Sequence, residues 1–516
     1  MILLNKINWN KYLVVFILAT TLIKLFLMGD GFMAFHDEYR YVQSGVFFQK
    51  IKEHHVKEAI NALFSTDGRP GDAFVRTIPI IFQYASSKIS HLYISEPRNS
   101  YPLFIFNYVI YCLILLVHFR FSKLVLGNTK LALLSTLLWG VLANSFLYIR
   151  HALAYDPSLL IFYYVLYTIA KNIERGSLKY SSCFWLGMLG FFGYLTYPGY
   201  FLLYLLIGLV LFFFKIGSVK WLAKMKYVLV YGAGSITMLA ITEAISRAGG
   251  NSYITSALTL SSTITQGSFD EAYSFLFKYL FEVEGITGIL IIALLAFFYC
   301  RSVATFDLKK ISTENLFVIL SVSITTLFLL YASAGYFLHA WVLYGRLLHQ
   351  FFPFICIICL MPFRQIDVYG WGSKLVYGLL PVLLVISFAI NFTNIKSFYF
   401  PRDVAWKYVN LGKKIINYCE FDEFWSQINI KETVRVTANK NNDFQSVVMT
   451  NGCSYYPVES LEHFKPFVPK PNYQLLESHA YWSLFKGYQY EGYSMPERKM
   501  VDFMNFKINV YAIVDH

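Results

Sequence analysis

Eleven stretches of this chain are apolar for long enough, or nearly long enough, to cross a bilayer, and that pattern dictates what the chain can fold into. The runs fall at about 12–29, 102–120, 131–147, 157–170, 181–196, 199–214, 227–245, 283–300, 315–332, 343–361 and 375–392. A helical span needs about 20 predominantly apolar residues, somewhat fewer at the short end. In hydrocarbon every backbone N–H and C=O must be bonded inside the protein, so runs of this length are expected to be helices. With 56% hydrophobic residues, 15% charged and a mean hydropathy of +0.48, the soluble globular class is excluded. The 48 Phe and 40 Tyr fit helices packed in lipid with amphipathic rings at the interfaces. The first run, Tyr12 to Met28, follows Lys6 and Lys11 as a signal peptide would. It holds Lys24 and lacks a small-x-small cleavage site, so it reads as an uncleaved first helix.

The formal charge of +13 does not point to nucleic acid, because Lys and Arg sit mostly in short loops between apolar runs, where anionic lipid head groups are the partners. Basic residues cluster at His118 to Lys130, Lys171 to Lys179, Lys215 to Lys226, Arg301 to Lys310 and Arg364 to Lys374. The positive-inside rule places these loops in the cytoplasm with the N-terminus. Ala73 to Ala85 is apolar but short and carries Arg76 and Pro79. If it crossed, every later loop would invert, so it is expected to lie on the outer surface. Asp30 to Tyr101, Tyr148 to Asp156, Ser246 to Glu282, Tyr331 to Trp341 and everything after Phe392 then become extracytoplasmic. The expected localisation is the inner (plasma) membrane, multi-pass, with a periplasmic or extracytoplasmic C-terminal domain.

The expected fold is thus an α-helical polytopic membrane protein of about 11 transmembrane helices over 1–392, with a small C-terminal α/β domain over 393–516. Within the first outer loop, 30–101, Tyr39 to Lys50 and Glu53 to Phe64 have helical spacing, and Gly68-Arg69-Pro70-Gly71 breaks the chain, which suggests interfacial helices around a cleft. In the tail, Asp403 to Tyr418 reads as a helix, and Thr433 to Thr437, Ser446 to Met449 and Ile508 to Val514 read as strands. Cys112, Cys183, Cys300, Cys356 and Cys359 fall in apolar runs as packing residues, while Cys419 and Cys453 fall in the outer domain, where a disulfide stays open. Cys356 and Cys359 form a C-x-x-C inside an apolar run with no second pair, a weak metal signal.

Charged residues at the ends of apolar runs are where chemistry could sit. His36-Asp37-Glu38-Tyr39 places two adjacent carboxylates just past the first run. They could begin a solvated loop or cap a helix at Tyr39, or supply a general base with its neighbour orienting a hydroxyl. Asp156, ahead of Pro157, brings a second acid to the same face and could equally cap the helix there. Gly193 to Gly199 contains a Pro-Gly break, and Gly345-Arg346-Leu347 opens a run expected to form a helix ending at Pro353.

The order of these parts resembles the GT-C superfamily of polytopic glycosyltransferases, in the branch that includes lipid A aminoarabinose transferases and protein mannosyltransferases. The acidic pair of that family's first outer loop is similar to Asp37-Glu38, and its small Pro-containing element to Gly68-Arg69-Pro70-Gly71. Its "Arg-x-Ala-x-x-Asp" run is similar to Arg150-His151-Ala152-Leu153-Ala154-Tyr155-Asp156, which has one residue more. Its "Leu-Thr-Lys-Tyr-Pro-Gly" turn is similar to Leu195-Thr196-Tyr197-Pro198-Gly199 without the Lys, and its late "Arg-Tyr" to Arg346-Leu347. The resemblance covers about residues 10 to 390 in layout and implies transfer of a sugar from a polyprenyl-phosphate (undecaprenyl-phosphate-type) donor to an envelope glycan or glycolipid acceptor.

Such a transfer needs a base for the acceptor hydroxyl as the anomeric carbon gains cation character, and a cation to meet the departing phosphate. The resemblance implies Asp37 as base with Glu38 second, and Asp156 as a third acid orienting an arginine or binding the acceptor. Arg69, Arg346 and Arg150 would bind the donor phosphate, and His36, Tyr39, His151 and Tyr197 would line the substrates. Single displacement predicts inversion, and a covalent carboxylate route would retain configuration. No cofactor is firmly implied. A divalent cation held by the carboxylates with His54, His55, His151, His339 or His349 stays open. A lipid-linked glycan transporter or flippase is the main alternative, set against span centres nearly free of charge. An O-antigen ligase or polymerase ranks lower, because the 246–282 loop has only Arg247 and Lys278 as basic residues.

Overall fold

The computed structural model of the protein describes residues 8–29, 45–64, 81–82, 101–215, 219–264, 272–304, 315–338, 345–365, 371–410, 414–417, 446–449, 469–481 and 506–513. His36, Asp37, Glu38, Tyr39, Arg69, His339, Cys419, Cys453, the strand expected at 433–437 and all but two residues of 73–85 lie outside the described residues.

Every apolar run carries helix. In chain order the helices are α1 (Trp9–Ile23, tightening into a turn over Lys24–Leu27), α2 (Gly45–Lys52), α3 (Val56–Phe64), α4 (Tyr101–Leu126), α5 (Thr129–Val141) and α6 (Ala143–Phe146). There follow α7 (Tyr155–Glu174), α8 (Tyr180–Thr196), α9 (Phe201–Phe213), α10 (Trp221–Ala248), α11 (Tyr253–Ile264) and α12 (Phe275–Glu282). The last are α13 (Gly285–Ala304), α14 (Leu316–Leu338), α15 (Gly345–Leu348), α16 (Phe352–Leu360) and α17 (Leu380–Asn410), with α17 entered through short helical turns at Trp371–Lys374 and Leu375–Leu379.

Among the described residues five helices are long and apolar enough to span a membrane: Trp9–Leu27, Leu103–Leu126, Trp221–Ala248, Leu316–Leu338 and Leu375–Lys396. The bent pair Thr129–Val141 and Ala143–Arg150 makes a sixth if the two halves are one span. Six of the eleven runs are not among these five. Runs 131–147 and 343–361 are each divided by a break, the helices at Pro198–Phe213 and Gly285–Cys300 are short, and α7 and α8 do not combine the length and apolarity of a span. The outward faces of α1, α10 and α14 expose Leu18, Leu22, Leu229, Ile236, Leu330 and Phe337, apolar surface that suits lipid and marks a membrane-associated chain.

Among the described residues α5 and α16 are the longer helices buried nearly all round, and the short α6 is wholly buried too. Every residue of α5 from Leu131 to Val141 and every residue of α16 is buried, as apolar helices inside a bundle must be. Helices α8 and α10 cross at backbone contact, since a Cβ on Gly187 would lie 2.0 Å from the Tyr231 carbonyl oxygen and one on Gly234 would lie 2.0 Å from that of Phe184. Ser235 donates to the Gly187 carbonyl at 3.0 Å across this crossing, the small-residue packing that helix pairs in membranes favour. Two pairs of basic loops lie together. Gly127 is against the Arg364 guanidinium, and Lys215 reaches Glu174 at 3.3 Å.

In the first loop, α2 and α3 are the two helices read from spacing. Phe64 of α3 packs with Leu195 and Tyr253, so α3 sits at the end of the bundle where α8 turns into the Tyr197 segment. In the tail, α17 passes residue 393 without a break, and the helix expected to reach Tyr418 ends at Asn410, after which Lys414–Asn417 is strand β1. With β2 (Ser446–Met449), β3 (Tyr473–Tyr481) and β4 (Phe506–Ile513) it forms a sheet ordered β1-β2-β4-β3, parallel at β1/β2 and antiparallel elsewhere. Lys407 near the end of α17 pairs with Glu477 on β3 at 2.6 Å.

Candidate active site

The site is built on two helix breaks. Between α5 and α6 the axis turns by 77° at Leu142, deep in the bundle. A break there strands backbone groups that water would otherwise satisfy, and each stranded group buried without a partner costs about 1–3 kcal/mol. Side chains distant in sequence supply the missing bonds. Glu284, in the connection between α12 and α13, accepts from the Ala143 and Asn144 amides at 2.7 and 2.8 Å. Asn391 of α17 donates to the Val141 carbonyl at 3.3 Å and to Glu284 at 3.4 Å. Lys24 donates to the Gly140 carbonyl at 2.8 Å and to the Tyr111 hydroxyl at 2.7 Å, with its ammonium over the Phe146 and Phe388 rings. The carboxylate thus stands at the positive N-terminus of α6 and the ammonium at the negative C-terminus of α5, the signs the helix dipoles require.

The second break separates α15 from α16. Pro353 lies in the first turn of α16, so it opens a helix instead of ending one, and His349 and Gln350 fall between the two segments. The breaks meet side chain to side chain. His349 Nδ1 lies 2.7 Å from Asn144 Oδ1, and its Nε2 lies 2.9 Å from Asp156 Oδ1. Asn144 Nδ2 donates to the Gly345 carbonyl at 3.0 Å and to the Tyr279 hydroxyl at 2.9 Å. A carbonyl only accepts, so the amide nitrogen must face Gly345 and the amide oxygen must face His349. His349 therefore donates from Nδ1. Between Nε2 and Asp156 there is then one proton, shared by an imidazolium and a carboxylate or by an imidazole and a carboxylic acid.

Asp156 is buried, in the first turn of α7, which opens at Tyr155 and not at Pro157. Its side chain makes no capping bond. Oδ1 takes the His349 contact, and Oδ2 has no hydrogen-bond partner among the described residues. Its partner is His349, expected only as one of several scattered histidines.

Two of the three expected cations, Arg150 and Arg346, are described. Arg150 closes the turn Leu147–Arg150 after α6, almost wholly buried, and its guanidinium pairs with Asp403 of α17. Arg346 donates to the Tyr155 hydroxyl at 3.0 Å, and its carbonyl accepts from Tyr200 at 3.1 Å. Tyr197 lies edge-on to Tyr155 and Tyr200 at 4.6 and 4.9 Å, and Tyr148 lies edge-on to Tyr155 and His349. These rings wall the Asp156–His349 pair. His151 is fully buried, and its carbonyl accepts from Asn107 at 2.7 Å. Gly29, eight residues before Asp37 in sequence, touches the Arg150–Asp403 pair, and a Cβ there would lie 2.8 Å from Arg150 Nη2 and 2.9 Å from Asp403 Oδ1.

His54 and His55 lie exposed in the turn between α2 and α3, and among the described residues no three His, Cys, Asp or Glu side chains form a metal-binding group. Glu284, Asn144, Asn391 and Asp403 were not singled out from the sequence. Glu284 alone left a signal there, as the one acid at the head of the apolar run 283–300. Comparison with protein-family models, with curated proteins and with solved structures finds no match to this chain.

Proposed function

We propose that this chain is a multi-pass membrane glycosyltransferase that moves a sugar from a polyprenyl-phosphate donor to an envelope glycan or glycolipid acceptor at the outer face. The reaction is a single displacement with inversion, and the fold crosses the membrane eleven times, the broken runs counting as crossings. One observation carries the reading: the two breaks join Asp156 to His349 beside Arg346, which meets Tyr155, while Arg150 stands against Gly29, the last described residue before the stretch holding Asp37 and Glu38. Cations for a departing phosphate and carboxylates for a hydroxyl proton are the groups this displacement requires. The α/β tail, on the same side in this reading, is extracytoplasmic.

In this mechanism Asp37, or Glu38 beside it, takes the acceptor proton. Arg346 and Arg150, with Arg69 of the first loop, meet the charge that grows on the leaving phosphate. Tyr197, His151, His36 and Tyr39 line the substrates. The test is sugar transfer by purified protein from a polyprenyl-phosphate sugar. Asp37→Asn should abolish it while the protein stays folded, and full retained activity would remove Asp37 as base.

Two broken helices meeting in a bundle are also how many transporters build a substrate site, so a lipid-linked glycan transporter is the second reading. In those sites the freed helix ends face the substrate. Here the freed ends of α5 and α6 are taken by Lys24, Asn391 and Glu284, which favours the enzyme. Movement of a lipid-linked glycan across vesicles by purified protein, with no bond made or broken, would decide for the transporter.

A further inference from the structure

The pair of Asp156 and His349 has one open end. His349 Nδ1 is bonded to Asn144 and Nε2 to Asp156 Oδ1, at 2.7 and 2.9 Å. Asp156 is 2% exposed, and its Oδ2 has no hydrogen-bond partner among the described residues. The single proton between Nε2 and Oδ1 can sit on either atom, and in both placements Oδ2 carries none. A further proton there would bury a net positive charge, which is strongly unfavourable. Oδ2 is therefore an acceptor held out of water, and only a hydrogen-bond donor completes it.

Which donor fits follows from the neighbours. The rings of Tyr148 and Tyr200 each contact both His349 and Tyr155, at centroid distances from 4.9 to 6.3 Å. Arg346 donates to the Tyr155 hydroxyl and lies 6.0 Å from that ring's centre. An ammonium would meet a pair with no net charge and a guanidinium already at the ring layer, so the donor that fits is neutral, a hydroxyl. Tyr155 and Asp156 are consecutive residues at the start of α7. A cation and an unfilled acceptor thus stand within one ring layer of each other. A ligand that uses both carries an anionic group and a hydroxyl close together, as a sugar joined to a phosphate does.

We propose that Asp156 Oδ2 accepts a hydrogen bond from the donor sugar's hydroxyl on the carbon next to the anomeric carbon, with His349 and Asn144 as positioning residues that hold the carboxyl in place. This rests on the reading of Arg346 as a cation for the donor phosphate. That hydroxyl is the one closest to the phosphate-bearing carbon, and hydrogen bonds to it strengthen as the anomeric carbon gains positive charge. The pair thus selects the sugar and favours its transition state, while the acceptor proton goes to Asp37 or Glu38.

The experiment uses the full chain in detergent micelles, without acceptor, and two probes: farnesyl phosphate carrying glucose and farnesyl phosphate carrying 2-deoxyglucose. The unaltered protein should bind the glucose probe about tenfold more tightly than the deoxy probe. Asp156→Asn turns its amide nitrogen to His349 and leaves a neutral oxygen in place of Oδ2, so the difference should shrink to about twofold. His349→Gln can still donate to Oδ1 and should keep most of the difference. Equal binding of the two probes by the unaltered protein, a result that needs no variant to fold, overturns the proposal alone. So does an undiminished difference in folded Asp156→Asn, which would leave Oδ2 to a fixed water. Failure of both probes to bind the unaltered protein removes the reading of a polyprenyl-phosphate sugar donor and the hydroxyl site with it.

Discussion

Two sets of buried charge lie close together in this protein, and they differ in where their hydrogen bonds end. Lys24 and Glu284 bind mostly backbone: the carbonyl before the α5–α6 break and the two amides after it. Asp156, His349 and Arg150 bind side chains: His349 to Asn144 and Asp156, Arg150 to Asp403, with one Asp156 oxygen lacking a partner among the described residues. A charge bonded to backbone is fixed by the fold and can only hold it. A charge bonded to side chains can change partners, and an unfilled acceptor invites one. The first set shapes the site, and the second is what a substrate would meet.

The comparison breaks most visibly at Glu284. Glu284→Ala leaves two buried amides without acceptors and should lower stability by about 2–5 kcal/mol, read as a lower melting temperature in detergent. Glu284→Gln keeps one acceptor oxygen and should fall between. Lys24→Met should cost less than Glu284→Ala, because Tyr111 and Ser145 also donate to the Gly140 carbonyl, at 3.4 and 3.3 Å. If Glu284→Ala melted like the unaltered protein, the break would not depend on it and the division into shaping and reacting charges would lose its first half.

The second half is tested by Asp156→Asn and His349→Gln. Both keep hydrogen-bonding shape, and an asparagine at 156 can donate to a neutral His349, so melting should change little. Turnover should fall about 10²–10⁴-fold if the pair handles a proton or holds charge at the reacting atoms. A matching loss of stability with little loss of turnover per folded molecule would put the pair with Lys24 and Glu284.

What the sequence disclosed follows the same division. Arg150, Asp156 and Arg346 stand at ends of apolar runs, where a charge is conspicuous, and the structure brings Arg346 to Tyr155, the neighbour of Asp156. The break at Leu142 has no proline to announce it, only Gly140 two residues before, and it depends on an acid 141 residues beyond Ala143, so local pattern could not place it. The proline at 353 was conspicuous, but whether it ends or opens a helix is decided by the break at His349 and Gln350. Strand β3 was missed for a local reason: a bulge between Leu475 and Glu477 upsets the alternation by which strands are read. Helix α17 hid the start of the tail because an apolar span and a polar helix share one axis.

Arg346 probes whether fork geometry or charge alone matters. Its guanidinium donates to the Tyr155 hydroxyl while lying 6.0 Å from that ring's centre. Arg346→Lys keeps the charge and loses the planar fork, so transfer should fall about tenfold with an unchanged melting point. Full activity in Arg346→Lys would mean that a point charge suffices there.

The smallest effect is expected where charge is solvated. On α2 and α3, Lys50 pairs with Glu58 at 3.0 Å and Glu53 at 3.1 Å, all three on the surface. The hydrogen bond from Lys50 holds the Glu58 carboxyl below its ordinary value, and bonds from Gln49 and then Lys50 do the same for Glu53. Because the folded values are lowered, this contribution is present above the ordinary carboxylate value of about 4.3 and is lost as pH falls through the lowered ones. Lys50 is raised, by Glu58 first, so its share is complete below its ordinary value of about 10.4 and is lost as pH rises through the raised one. Hydrogen exchange over 45–64 should therefore change little at mid-range pH and quicken, beyond the intrinsic rate, only towards the acid and alkaline ends. Salt should blunt even that, since exposed pairs are screened. A strong, salt-resistant loss of protection near neutral pH would show that these helices are held by a buried titrating group, and the contrast between surface charge and the two buried sets would have to be redrawn.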